Sequence, residues 1–332
     1  MVVDLLRYIV KRIFYMIFVF AIMSVVLFGI NNLVPGDPAR VEVEALKDKL
    51  KPNEYQMAYE QARKDLGLDD PVVERYKRWM GGILSGNLGK SAVYKQPVTE
   101  VVKVPLKNTI FINIFEVIIG LGITIPLGIR CAVRKGSSFD KTVQTLTIIG
   151  YSIPTFIFGL LFIYVFAVQL RWFPVSGMGT PNFKGTRMQE FLDVMKYLVL
   201  PLMVMTIGSL GGITRYVRTA MVDSLSMDYI RTARAKGVKE KVVIYSHAWR
   251  NALLPVITLI IGWFMSVFSG SIIVENMFNL NGIGRLLLKS LQAQDYEVVI
   301  AIQLFSMLIS LFSNFITDLS YGLVDPRVRV SK

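Results

Sequence analysis

Six apolar runs of about twenty residues constrain this chain more than any motif does. They fall at Ile13–Leu33, Thr109–Ile129, Thr147–Val168, Tyr197–Ile213, Leu253–Val274 and Val298–Asp318. At roughly 1.5 Å per residue, a helix of that length crosses about 30 Å of hydrocarbon. Hydrocarbon offers no water to a free amide, so spanning segments must bond their backbones internally. The pattern therefore predicts an all-α polytopic membrane protein with six transmembrane helices. Composition agrees: 53% hydrophobic and 18% charged residues are too apolar for a soluble chain of 332 residues. The first run is too long for the apolar core of a signal peptide, and no small-x-small cleavage site follows it. It is expected to remain as a span. The single Cys131 excludes an intrachain disulfide and supplies no thiolate metal cluster.

A net charge of +13 invites a nucleic-acid reading, but the placement of the charge argues against one. With the N-terminus inside, the inside segments hold 18 Lys and Arg against 7 acids, while the outer ones hold 19 against 16. Lys and Arg stay on the cytoplasmic side because they are costly to translocate and because anionic lipids hold them there. Both termini are therefore expected in the cytoplasm, with membrane lipid and no nucleic acid as the charged partner.

Between these spans the chain divides into an N-terminus with the first helix (1–33), an extracytoplasmic insertion (34–108) and a five-helix core (109–332). In the insertion, Asn53 is placed to cap a helix that Gly67 stops, and Asp70 to cap a second one with Pro71 at its first position. Val72, Val73, Tyr76, Trp79, Met80 and Ile83 form one apolar stripe at helical spacing. That stripe is expected to pack on the spans or at the membrane interface, with reception of a docked protein as the minor reading. The run Leu84-Ser85-Gly86-Asn87-Leu88-Gly89-Lys90-Ser91 resembles a phosphate-binding loop but has Leu84 where the first Gly is needed. It is not a nucleotide site.

Catalytic chemistry is missing. His247 is the one histidine, so neither a His-based triad nor a multi-histidine metal site can form. No catalytic residue, no metal site and no bound cofactor are expected in this chain. Glu116 is the one acid well inside a span, and intramembrane charges point to function by default. Asn113 lies three residues away on the same face, so the pair marks a possible translocation path. A structural hydrogen bond is the competing reading. Gly208 and Gly212 have the spacing for close helix contact. Pro126, Pro154, Pro201 and Pro255 each lie in or at the end of a span, where a missing amide bends a helix.

The longest polar gap between late spans, 215–252, carries eight Lys or Arg. Within it, Asp228-Tyr229-Ile230-Arg231-Thr232-Ala233-Arg234-Ala235-Lys236-Gly237 reads as a short basic helix started by Asp228 and ended at Gly237. A structured basic loop on the cytoplasmic side offers a docking surface to a soluble partner, with Ala233 and Ala235 small enough for close approach.

These residues resemble the coupling-loop motif of ABC-importer permeases, a Glu-Ala-Ala followed three residues later by Gly. Arg231-Thr232-Ala233 and Gly237 take those positions here. The rest of the chain is similar to the first permease subunit of dipeptide, oligopeptide and nickel ABC importers. The similarity is carried in order by Val34-Pro35-Gly36-Asp37-Pro38, Leu66-Gly67-Leu68-Asp69-Asp70-Pro71, Gly86-Asn87-Leu88-Gly89-Lys90-Ser91 and Arg250-Asn251-Ala252-Leu253-Leu254-Pro255. Val274-Glu275-Asn276-Met277-Phe278, Gly282-Ile283-Gly284-Arg285-Leu286, Asp295-Tyr296 and Leu323-Val324-Asp325-Pro326-Arg327-Val328-Arg329 complete it. The missing Glu at Arg231 is shared by the peptide and nickel branch.

The resemblance implies a type I importer permease fold in a bacterial or archaeal cytoplasmic membrane. It also implies a second related permease, two ATPase subunits that bind ATP and Mg, and an extracytoplasmic substrate-binding protein. Coupling to the ATPase would then fall on Asp228, Tyr229, Arg231, Thr232, Ala233, Ala235 and Gly237. The cargo implied is a di- or oligopeptide, with nickel or a metal chelate as the alternative. A secondary transporter would work without any ATPase, and an intramembrane enzyme would need more polar groups in the spans than Glu116 supplies.

Orientation has a direct check. In a chain with Cys131 replaced, a cysteine at Lys95 should react with an impermeant thiol reagent added to intact cells. A cysteine at Lys239 should react only after permeabilisation. The reverse pattern would invert the topology.

Overall fold

The computed structural model describes residues 2–33 and 37–324. The first three residues of Val34-Pro35-Gly36-Asp37-Pro38 and residues 325–329 of the closing Leu323–Arg329 motif lie outside the described residues. Among the described residues the chain is helical throughout, with one isolated antiparallel bridge at Lys90 and Pro97. Five helices are long and apolar enough to cross a membrane, at Arg7–Ile30, Val98–Val133, Arg187–Leu225, Glu240–Met277 and Tyr296–Ser320. The expected third span, Thr147–Val168, is not one straight rod. Ser138–Ser152 and Thr155–Gln169 meet at 97°, and the count reaches six only if this pair is one span. Pro154 is the cause: it holds the preceding Ile153 extended at φ −83°, ψ 127°, which ends the first helix. Pro201 and Pro255 instead sit inside continuous helices, and Pro126 lies within Val98–Val133.

The residues fall into two compact units. The smaller comprises Ile13–Pro105 and Leu286–Leu308. It takes in most of α1 (Val2–Leu33), then α2 (Pro38–Val43), α3 (Pro52–Asp65) and α4 (Val72–Leu84). Asp37 caps α2 by accepting from the Ala39 amide at 3.0 Å, and its carboxylate also takes the Tyr59 hydroxyl of α3. Ala39, Val43 and Ala62 are buried together beneath Tyr55 and Leu68. Helix α3 starts at Pro52 with Lys51 as its cap residue, so Asn53 lies inside the helix. Pro71 precedes α4, and Asp70 turns to pair with Arg78 rather than capping. Of the predicted stripe, Tyr76 and Trp79 pack on Phe28 of α1, and Tyr76 shares a 2.8 Å hydrogen bond with Ser24. Val72 and Val73 stay exposed. Ser91 and the Ala92 amide bond the Asp295 carboxylate, so the glycine-rich run serves a structural turn.

Among the described residues the larger unit contains Leu106–Arg285 together with 2–12 and 309–324. Its elements are α5 (Val98–Val133), α6 (Ser138–Ser152), α7 (Thr155–Phe162), α8 (Arg187–Leu225) and α9 (Asp228–Ala235). A short α10 (Glu240–Val242) follows, then a π-turn through Ala248, α11 (Trp249–Met265) and α12 (Ile272–Met277). Helices α13 (Ile283–Gln292) and α14 (Tyr296–Val324) follow, with residues 286–308 of them counted in the smaller unit. At 39 residues α8 is the spine, much longer than the predicted fourth span. The supposed loop 215–252 is therefore mostly helix.

Close contacts along α8 use glycine, at positions other than those expected. A Cβ on Gly211 would fall 2.7 Å from the Thr147 carbonyl oxygen of α6, and one on Gly128 of α5 would fall 2.9 Å from the Thr214 carbonyl of α8. Gly208 meets only an ordinary contact and Gly212 faces open space. Gly211→Leu should therefore push α6 from α8 and lower the thermal unfolding midpoint of the purified protein. Gly212→Leu should shift it much less. Equal shifts would contradict this packing.

Candidate functional site

Helix α9 is built as an anchored handle. Ile230 is fully buried and Ala233 nearly so, in a cluster with Val217 and Met221 of α8, Val243, and Ala252 and Val256 of α11. Ser224 of α8 donates to the Ala248 carbonyl at 2.8 Å and shares a 2.8 Å hydrogen bond with the Tyr229 hydroxyl. These bonds tie α9 to the end of α8 and to the approach to α11. The helix starts after Met227, so Asp228 occupies its first position. There it lies beside Arg231 at 3.5 Å without capping the helix.

The end of α9 follows the expected logic. Gly237 has φ +75°, its amide donates to the Arg234 carbonyl at 3.0 Å, and the Val238 amide donates to Ala233 at 3.2 Å. That pair of bonds is a Schellman stop, which places a left-handed residue just past the helix. Arg234 is then held by Glu240 at 2.7 Å, which raises the guanidinium pKa above its ordinary value.

The exposed face comprises Asp228, Arg231, Thr232 and Ala235, with Tyr229 half-exposed. Ala233 was expected on that face. It lies instead against the chain's own core, because a helix that packs Ile230 inward must also turn the residue three positions on inward.

Asn113 and Glu116 are likewise used inside the chain rather than facing an open path. The Asn113 amide donates to the carbonyls of Val267 at 3.0 Å and Ser269 at 2.9 Å, where α11 gives way to the turn before α12. Glu116 accepts from Ser209 of α8 at 2.7 Å and from the Trp263 indole of α11 at 2.9 Å. Both are buried, at 6% and 5% exposure. One carboxylate thus joins three long helices.

Besides Asp295 of the Ser91 turn, two further buried acids, both in the larger unit, escaped the sequence reading. Asp140 of α6 receives both Nε and Nη2 of Arg218 at 2.6 Å, together with the Gly136 amide at 2.9 Å. Glu275 accepts from Thr109 at 2.8 Å and from the Arg285 amide at 3.0 Å. Asp140 had a legible signal, since Ser137 stands three residues before it as a helix cap. Glu275 had one only in its position directly after a span. Among the described residues no cluster of His, Cys, Asp and Glu is placed to hold a metal.

This arrangement binds helices to one another and leaves one exposed, mostly polar face on α9. The family described as "Binding-protein-dependent transport system inner membrane component" matches residues 124–330, and its N-terminal counterpart matches residues 5–110. The chain belongs to this permease family.

Among relatives of the permease, the oligopeptide transport system permease protein AppB of Bacillus subtilis is 38% identical, over 97% of this chain and 98% of its own. The glutathione transport system permease protein GsiC of Pectobacterium atrosepticum is 33% identical over 98% and 99%. The di/tripeptide transport system permease protein DppB of Pseudomonas aeruginosa is 32% identical over 98% and 99%. A solved structure of the MetNI methionine ABC transporter, facing inward, aligns with a TM-score of 0.51 at 16% identity. It covers 67% of the permease and 97% of that chain. At that identity the likeness shows the fold alone, an all-helical type I permease architecture in a multi-pass membrane protein.

Glu116 thus joins α5, α8 and α11 of this permease. Glu116→Leu removes the acceptor that Ser209 and Trp263 share and leaves the buried indole N–H of Trp263 without a partner. The loss should be about 1–3 kcal/mol, the cost of a buried unpaired polar group. A lower unfolding midpoint and reduced folded yield should appear together, and Trp263→Phe should reproduce part of both. Wild-type stability in Glu116→Leu would return the residue to the list of path-lining groups.

Proposed function

We propose that this chain is one permease subunit of an ATP-driven importer of di- or oligopeptides. The names of its full-length relatives support peptide as the cargo class over nickel or a metal chelate. In this reading the bent α6–α7 pair counts as one span, giving six, with residues 34–108 as an extracytoplasmic insertion and both termini in the cytoplasm of a bacterial or archaeal cell. A second, related permease completes the pathway. Two ATPase subunits bind ATP and Mg, and an extracytoplasmic binding protein delivers the peptide. The permease itself has no catalytic role.

The observation that carries the reading is the construction of α9. Its inner face is locked into the core of α8 and α11, while Asp228, Arg231, Thr232 and Ala235 stay outside. When ATP closes the ATPase dimer, a helix seated in its cleft moves with it. Because Ser224 ties α9 to both flanking helices, the displacement tilts α8 and α11 rather than being absorbed in a slack loop. Alternating access follows as a two-state rearrangement of packed helices.

Substitutions separate the two faces of the handle. Ala235→Trp, on the exposed face, should leave folding intact but weaken ATPase docking. A loss of about 1.4 kcal/mol there is a tenfold loss of affinity. Gly237→Val forces a branched side chain into a left-handed backbone, at roughly 1–2 kcal/mol, and should distort the same end. Ala233→Trp should behave differently, overpacking the core by about 1–3 kcal/mol and lowering the yield of folded subunit. The measurement is ATP hydrolysis stimulated by loaded binding protein in reconstituted complexes. Full stimulation and transport in both Ala235→Trp and Gly237→Val would remove α9 as the energy handle.

A further inference from the structure

The C-terminal half of α8 borders a cavity of about 550 Å³, lined by Tyr151 of α6, by Gly212, Arg215, Tyr216 and Asp223 of α8, and by Pro255 of α11. Its shape follows from neighbouring glycines: Gly211 draws α6 against α8, and Gly212 leaves the adjoining wall open. The volume falls in the range of small-molecule sites, roughly 300–1,000 Å³.

Two charges of opposite sign stand on this wall. Arg215 and Asp223 are exposed, and among the described residues neither has an ion pair or a side-chain hydrogen bond. Arg218 lies three residues from Arg215, yet its Nε and Nη2 are both held by Asp140. An anion alone would be attracted by Arg215 and repelled by Asp223, and a cation alone would meet the reverse. A dipolar ligand satisfies both.

Arg215 and Asp223 lie eight positions apart on α8, so their backbone attachments are about 12 Å apart along the helix axis at 1.5 Å per residue. Extended backbone covers roughly 3.3–3.6 Å per residue, so the termini of three or four residues match that spacing. Tyr151 and Tyr216, 70% and 43% exposed, add apolar ring faces with polar tips, surfaces that accept varied side chains.

We propose that this cavity is a station for short zwitterionic peptides. Arg215 binds the α-carboxylate and Asp223 the α-ammonium of a chain three or four residues long. Because the charged groups it recognises are common to all such peptides, it sorts by length and free termini rather than by side chain. The proposal rests on the peptide-importer reading above.

The test uses the assembled transporter without added binding protein, and the photoreactive tripeptide alanyl-benzoylphenylalanyl-alanine as probe. Cross-links should map to the segments of α6, α8 and α11 that line the cavity. Amidating the C-terminus or acetylating the N-terminus should each reduce labelling about tenfold, equivalent to roughly 1.4 kcal/mol. Arg215→Gln should bring the free-acid probe down to the level of the amidated one while leaving the amidated probe unchanged. Asp223→Asn should do the same for the acetylated pair.

Equal labelling by free and capped probes in the wild-type protein would overturn the proposal, and that comparison needs no variant. Cross-links outside the cavity, or variants that reduce all probes alike, would overturn it too. Uptake of trialanine by the complete importer in vesicles is measured alongside. No uptake of trialanine or of any other short peptide sinks the peptide reading itself. Uptake combined with charge-independent labelling sinks only the station.

Discussion

A helix in hydrocarbon satisfies its own backbone, so what remains to fix one helix against another is close packing and the few polar side chains that can bond across. In this permease those contacts converge on α8. Gly211 admits the backbone of α6, and Gly128 of α5 admits the backbone of α8. Ser209 reaches the Glu116 carboxylate, which also holds Trp263, while Arg218 closes on Asp140. Gly211 and Arg218 thus fix α6 to α8, Gly128 and Ser209 fix α5 to it, and α11 joins them through Trp263 on the same Glu116 carboxylate. A long, bonded helix suits transport, because a motion applied at one end reaches the other without being lost in side-chain rearrangement.

That logic explains why α9 is not a free loop. A handle that transmits force needs one face for the partner and another for the body it moves. Ile230 and Ala233 supply the second, and the Schellman stop at Gly237 turns the chain back toward α11. Ser224 reinforces the junction by bonding to both Tyr229 and the carbonyl of Ala248. The sequence feature that looks like a docking motif is thus one exposed face and one face packed into the chain's own core.

Much of this was readable from the residues alone. Apolar run length gave the membrane class, and the Asp228–Gly237 segment gave a helix with a glycine stop in the right place. What stayed hidden depends on partners distant in sequence. Pro154 separates Ser138–Ser152 from Thr155–Gln169 at 97° whereas Pro201 does not interrupt α8, although both are prolines in apolar runs. The difference lies in Ile153, which the fold lets go extended. Ala233 looked like a docking residue because it is small; only the burial of Ile230 reveals which way the helix is turned. Glu116 stands out in the sequence as an acid inside a span, but its partners Ser209 and Trp263 lie 93 and 147 positions away. Small-residue spacing at Gly208 and Gly212 pointed to the right helix and missed the contact, which Gly211 makes.

The contrast between used and unused charge is the most informative property of the larger unit. Asp140, Glu116 and Glu275 are buried and bonded, each holding segments from different parts of the chain together. Such groups are expensive to expose, so the motions of the permease must carry them as intact clusters. Arg215 and Asp223 have no such duty, though they share a helix with Arg218. Charges left without protein partners in a cavity remain solvated, and solvated groups can exchange water for a ligand at little cost. A transporter needs that second kind of group along its route, because a site that bound cargo as tightly as Asp140 binds Arg218 would not release it.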